Sequence, residues 1–253
     1  MASIPSAHRG QGYGLSLGAT ERRDLWWFKP LLQGAMALVA VGYSAWAGMR
    51  PEHTGYGIAH SPIHADLRLG PLLIPAPLWF MLGVPILFRA TCYYFRRAYY
   101  RSFFLDPPAC AVGEARKGYS GERAFPFVLQ NVHRYLLYLA LVFLVVHWTN
   151  TVRAFTFDGR FGVGVGSLIL LADTTLLSLY TLGCHAFRHM IGGSMDCYSC
   201  VRGGEARRKA WSIVSVFNGH HMGYFWWSLY TICFADLYIR MCSLGLWHDP
   251  RLF

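Results

Sequence analysis

Residues 126–148 read PFVLQNVHRYLLYLALVFLVVHW, a run with one arginine, two histidines and no acid. A bilayer core of about 30 Å is crossed by about 20 apolar residues in a helix, so this stretch is long enough to span. Four more stretches qualify: 30–49, 72–95, 163–187 and 211–240. Across 253 residues, 54% are hydrophobic and only 14% charged; the mean hydropathy is +0.29. These values exclude an ordinary soluble domain. The fold expected is an all-α membrane protein, a bundle of five transmembrane helices. Residues 1–29 form an inner tail, 30–247 the membrane domain and 248–253 an external tail. Residues 1–20 are polar and glycine-rich without an apolar core, which argues against a cleaved secretion signal and leaves insertion to the first span.

Orientation follows from the basic residues, because short cytoplasmic loops hold the excess of Lys and Arg. The N-terminal tail has Arg9, Arg22, Arg23 and Lys29; the second connection has Arg96, Arg97, Arg101, Arg116, Lys117 and Arg123; the fourth has Arg202, Arg207, Arg208 and Lys209. The first and third connections have two each, Arg50 and Arg68, then Arg153 and Arg160. The N-terminus is therefore expected inside and the C-terminus outside. The net charge of +10 reads mainly as this topology signal, with a basic inner face suited to an acidic partner or lipid headgroups rather than to nucleic acid. Residues 101–125, around Pro107-Pro108-Ala109-Cys110, read as an inward docking segment.

Ionisable groups inside a membrane are costly and mark pathways or cofactors. His133 and His147 are fourteen residues apart, about 21 Å along a helix and nearly on one face. Two bis-histidine haems would need a matching pair on an opposing helix, yet the first two spans have no histidine, and the later spans offer His185 with His189 and the adjacent His220 and His221. The remaining candidates agree in depth. Cys92 precedes the basic run that ends the second span, His133 follows the inner start of the third, Cys184, His185 and His189 precede Gly192-Gly193, and His221 follows Arg208-Lys209 by about three turns. All fall in the inner leaflet. A mixed two-Cys, two-His set is the ligation of a Rieske-type [2Fe-2S] centre, and a single haem b is the alternative these residues leave open. Taken singly, each of these residues also fits plain packing. Cys197-Tyr-Ser-Cys200 is a lone CxxC, a weak metal signal, and on an inward loop no disulfide is expected.

Five blocks carry a family resemblance: FRATCYYFRRAYYRSFF (88–104), DPPACAV (106–112), GCHAFRHMIGG (183–193), NGHHM (218–222) and ADLYIR (235–240). In these the chain resembles the membrane-anchor subunit of succinate dehydrogenase and fumarate reductase, in the single-chain five-span actinobacterial form. The resemblance implies a multi-pass protein of the bacterial inner membrane that docks a flavoprotein subunit and an iron-sulfur subunit. It also implies that electrons pass from succinate to membrane quinone through an inner-leaflet centre, and that the succinate chemistry belongs to the partners. A higher oligomer is compatible with it. Matching blocks transfer Cys184, His185, His189 and His221 to the cofactor side, with Cys92 and His133 added by depth. The two-haem ligand set of other five-span members does not transfer, for want of histidines in the first two spans.

For quinone, hydrogen-bond donors at the inner ends are needed, and Arg89, Tyr93, Arg96, His133, Arg134 and Trp211 supply them. The same residue types also serve as headgroup anchors. Two other classes fit the sequence less well. A membrane di-iron oxygenase or desaturase shares the HxxxH of 185–189 but needs more histidine boxes than this chain has. A transporter would show more intramembrane acids than Asp173 and Asp236.

Overall fold

The computed structural model describes residues 16–64, 67–69, 72–74, 78–114, 123–125 and 127–253. The chain is mostly helical: α1 (Phe28–Gly48), α2 (Leu78–Thr91), α3 (Tyr93–Tyr99), α4 (His133–Arg153), α5 (Val165–Leu182), α6 (His185–Arg188), α7 (Gly204–Gly219) and α8 (His221–Ser243). Three two-stranded antiparallel ribbons join them, β1–β2 (Gly55–Tyr56, Ala59–His60), β3–β4 (Leu67–Leu69, Leu72–Ile74) and β5–β6 (Thr156–Phe157, Arg160–Phe161). Among the described residues, three helices are long and apolar enough to cross a membrane: Phe28–Gly48, Phe127–Arg153 and Val165–Leu182.

Three expected spans are corrected. Residues 72–74 of the second are a strand, not helix, because Pro75 and Pro77 push the residue before each toward extended backbone and, within a helix, would lack a ladder donor. That span then breaks at Cys92. The fourth ends at Leu182, not 187, and the fifth is two helices with a break at His220. Residues 248–253 pair back onto the start of α5, with Leu252 donating to the Val163 carbonyl and Val163 to that of Phe253.

Packing follows residue size. Along α1 the buried positions after Pro30 are small, Gly34, Ala37, Ala40, Ala47 and Gly48, while Leu31, Leu38 and Val39 are exposed. Small residues let helices approach where the surroundings are as apolar as the side chains. A Cβ on Gly34 would stand 3.1 Å from the Ser102 Cβ, so α1 lies against the π-turn Tyr100–Phe104 that follows α3. Buried polar pairs then fix the register. Thr151 meets Thr174 at 2.6 Å between α4 and α5, and Thr231 of α8 donates to Asp173 at 3.0 Å.

At one end of α8, Asp236 and Arg240 form a buried ion pair, 2.8 Å, one turn apart. Tyr43 and Ser61 donate to the same carboxylate. Arg240 also donates to the carbonyls of Ala47, Arg50 and Glu52. This knot ties α8 to the end of α1 and to the loop after it. At the opposite end of α1, residues 18–22 run along 110–113: Gly18 donates to Gly113, Gly113 to Ala19, and Thr20 to Ala111.

Candidate redox site at the helix breaks

Each of the three broken helices breaks at a cysteine or histidine. Cys92, between α2 and α3, has extended backbone (φ −66°, ψ 130°). Cys184, between α5 and α6, does the same (φ −72°, ψ 155°). His220 interrupts α7 and α8 at φ −106°, ψ 9°, and His221 opens α8. An extended residue ahead of a helix can turn its side chain back onto the first free N–H groups. The Phe187 amide accordingly donates to the Cys184 sulfur at 3.2 Å. Cys92 heads α3 with the same extended backbone but makes no such side-chain bond to the helix start.

These breaks meet in the core. The Cys92 Sγ lies 3.6 Å from the His221 Nε2, and Cys92, Cys184 and His221 are each no more than 2% exposed. Tyr180 of α5 stacks on the His221 ring (4.9 Å, 20°), and Tyr94 covers it from α3 at 5.3 Å. Arg89 donates to the Phe225 carbonyl and to Ser228, both at 3.0 Å, with its guanidinium 4.6 Å above the Tyr180 ring. The His221 Nδ1 and the Tyr180 hydroxyl are fully buried without a hydrogen-bond partner.

The other predicted ligands fall around this centre. His133 is half-buried, stacked on Phe88 (4.5 Å, 6°), with Nδ1 3.0 Å from Thr91 Oγ1. His185 and His189 are exposed, on α6 and on the π-turn His189–Gly193, beyond the end of the expected span. Among the described residues, no three His, Cys, Asp or Glu side chains stand together closely enough to hold a metal ion.

Of the residues assigned to quinone, Arg89 alone lines a cavity of about 330 Å³ between α1, α2, α3 and α8, walled by Ala37, Val41, Phe95, Phe225 and Leu229. Tyr93 and Arg134 are exposed, and Arg96 is buried with its guanidinium over the Tyr93 ring. Trp211 lies under Arg188 at 4.4 Å. Sequence reasoning missed Tyr180 and Phe225, whose only signal is helical phase with Cys184 and His221. Cys197 and Cys200 form a disulfide, against the expectation for that loop. The turn sets their Cα atoms 5.5 Å apart, a separation that a disulfide spans. On α7 nearby, Arg208 beside Glu205 holds that exposed carboxyl below its ordinary range.

Long apolar helices broken around buried thiols and imidazole define a helical membrane subunit with a polar centre in its core. Residues 51–245 match the model of the actinobacterial succinate dehydrogenase subunit SdhC, and the chain belongs to that family. It is thus a membrane-anchor subunit of a succinate dehydrogenase complex. Its structure is similar to a chain of the Mycobacterium smegmatis Sdh1 complex in the apo form, with 32% identity and a TM-score of 0.79 over 92% of this chain and 94% of that one. No curated protein sequence matches it significantly.

Proposed function

We propose that this anchor docks a flavoprotein and an iron-sulfur subunit on the inner face of a bacterial inner membrane and delivers electrons from succinate to membrane quinone beside a Rieske-type [2Fe-2S] centre. The observation that carries the proposal is the convergence of the three helix breaks on Cys92, Cys184 and His221. Their chemistry suits the group: two buried sulfurs, that of Cys184 accepting the Phe187 amide, and an imidazole with a buried nitrogen free of partners. Cys92, Cys184 and His221 would hold it with a second imidazole from His133 or His185, which requires these side chains to draw closer than they stand, since among the described residues no three are near enough to hold a metal ion. Bound there, a [2Fe-2S] centre supplies one-electron transfer. The chain's own part is to exclude water with Phe88, Tyr94, Phe95 and Phe225 and to hold the ligand backbone at helix ends.

Arg89 fits the quinone role best, since it carries charged donors to the wall of a largely apolar cavity that Ser44 and Tyr99 also line. The anchor has five spans in this reading, the two broken ones being α2–α3 and α7–α8, with the N-terminus inside. Residues 16–24 and 106–114 then form the platform for the partners. A single haem b is the rival, favoured by the buried His147, whose Nε2 has no partner.

Electron paramagnetic resonance of the reduced, purified complex decides between them. A low-average-g [2Fe-2S] signal is expected, lost in Cys184→Ala and in Cys92→Ala. Strong b-type haem absorption together with spectra unchanged in both variants would overturn the iron-sulfur reading. Separate His133→Ala and His185→Ala variants identify the second imidazole.

A further inference from the structure

The expected spans contain two acids, Asp173 and Asp236. Asp236 is held in the knot with Arg240, Tyr43 and Ser61. Asp173, near the middle of α5, is fully buried. One of its oxygens accepts from the Thr231 hydroxyl at 3.0 Å, and the other, Oδ2, has no hydrogen-bond partner among the described residues. A carboxyl so placed is costly as a lone ion, and an acid inside a membrane segment marks a functional pathway by default. Its surroundings lead to Arg89. Thr231 and Ser228 are three residues apart on α8, hence on one face, with Cβ atoms about 5–6 Å apart, and Ser228 accepts from Arg89 at 3.0 Å. On α5 itself, Leu177 lies one turn beyond Asp173 and borders, with Arg89, Tyr180 and Thr181, a void of about 10 Å³, room for one water. Arg89 in turn lines the larger cavity.

We propose that Asp173 is a positioning residue for proton delivery: it holds a proton in the core of the bundle and passes it by way of Thr231 and Ser228 to a quinone bound at Arg89. The inference rests on the quinone reading of that cavity above. Reduction of a quinone to its quinol takes two electrons and two protons. The electrons come from succinate through the partner subunits. For the proton, the O–H bond of the Asp173 acid breaks and an O–H bond forms at a quinone oxygen. In between, the hydroxyls of Thr231 and Ser228 each accept one proton and release another, with one water bridging the turn that separates them. Asp173 then takes a proton back from the aqueous phase. Ser228 directs its own proton to the Phe225 carbonyl at 3.2 Å, a bond it exchanges for the quinone side. Arg89 is not the source, because a guanidinium stays protonated; its donors orient the quinone, and its charge offsets the carboxylate left behind. The plain alternative is that Asp173 only ties α5 to α8. In that case asparagine, which keeps an acceptor oxygen for Thr231, would serve equally well.

The test is steady-state quinone reduction by the intact complex, with the rate normalised to succinate oxidation by a soluble acceptor that draws electrons from the partner subunits. In Asp173→Asn, kcat is expected to fall by at least about tenfold, as for loss of a proton-transfer group, with KM for quinone unchanged. Asp173→Glu restores the acid and should recover most of the rate. Redox-difference infrared spectra of the parent should show a carboxyl band that changes on quinone reduction and is missing from Asp173→Asn; a structural tie would give no such band. Should Asp173→Asn fail to assemble, Thr231→Val removes the first hydroxyl of the relay and should lower kcat in the same way. A parental kcat in either variant, or no responsive carboxyl band in the parent, overturns the role of Asp173. If Arg89→Lys leaves the quinone KM unmoved, the site at Arg89 fails and the relay with it. If Arg89→Lys raises that KM while Asp173→Asn keeps the parental kcat, the relay alone fails.

Discussion

A guanidinium inside an apolar bundle is costly unless its donors find acceptors, and Arg89 uses its two terminal nitrogens on Phe225 and Ser228. It has five N–H donors in a planar fork, so donors remain for a carbonyl oxygen in the cavity it lines. Lysine keeps the charge but not the fork. Arg89→Lys is therefore expected to raise the apparent KM for quinone at least tenfold, about 1.4 kcal/mol, while succinate oxidation by a soluble acceptor is unchanged. Equal KM values in steady-state quinone reduction would remove Arg89 from the quinone site. The residue was legible in sequence only as one of six donors at inner helix ends. What separates it from Tyr93, Arg96 and Arg134 is phase across the break at Cys92, since α2 and α3 do not share one helical register. Cys92, Cys184 and His221 were legible because thiols and imidazoles in apolar runs are rare. The exposed His185 and His189 were chosen by depth and by the block 183–193, and depth is no guide once the helix that bears them has ended.

Hydropathy reads composition and is blind to backbone continuity, so α1, α4 and α5 were visible in the sequence while the breaks were not. Their causes are local. At the end of α2, the Thr91 hydroxyl donates back to the Leu87 carbonyl at 2.8 Å, competing with the backbone ladder. At the end of α5, Gly183 leaves room for the chain to turn. A Cβ there would stand 2.5 Å from the Leu179 oxygen and 3.2 Å from the Phe217 Cβ. The Gly183 carbonyl also accepts from Asn218 of α7 at 2.9 Å, so this break is held against the next helix. Gly183→Ala must displace backbone, and Cys184 with it. The expected cost is about 1–3 kcal/mol, as for overpacking, seen as a lower thermal midpoint of the purified complex. A broadened or weakened iron-sulfur resonance should accompany it. A Gly183→Ala complex with parental stability and spectrum would show that this contact does not hold the break.

Two ties at opposite ends of the bundle give the whole molecule its sides. One is the knot of Asp236, Arg240, Tyr43 and Ser61, reaching the loop after α1. The other is the pairing of residues 18–22 with 110–113, beyond α3. Cys92, Cys184 and His221 stand away from the knot, since His221 is the first residue of α8 and Asp236 lies four turns on. If α2–α3 and α7–α8 each cross the membrane along with α1, α4 and α5, the number of crossings is odd and the termini lie on opposite sides. The basic residues of the tail and of the second and fourth connections then place the second tie, and the candidate centre near it, on the inner side, where an electron-donating partner would dock. A membrane-impermeant maleimide tests this arrangement. His53→Cys, in the loop beside the knot, should label in intact cells. Arg202→Cys, ahead of α7, should label only after permeabilisation. The reverse pattern would invert the anchor. Labelling of both cysteines in intact cells would mean that an even number of the five segments separates them, which would leave the candidate centre on the side opposite the succinate-oxidising subunits and remove the basis for electron delivery to it.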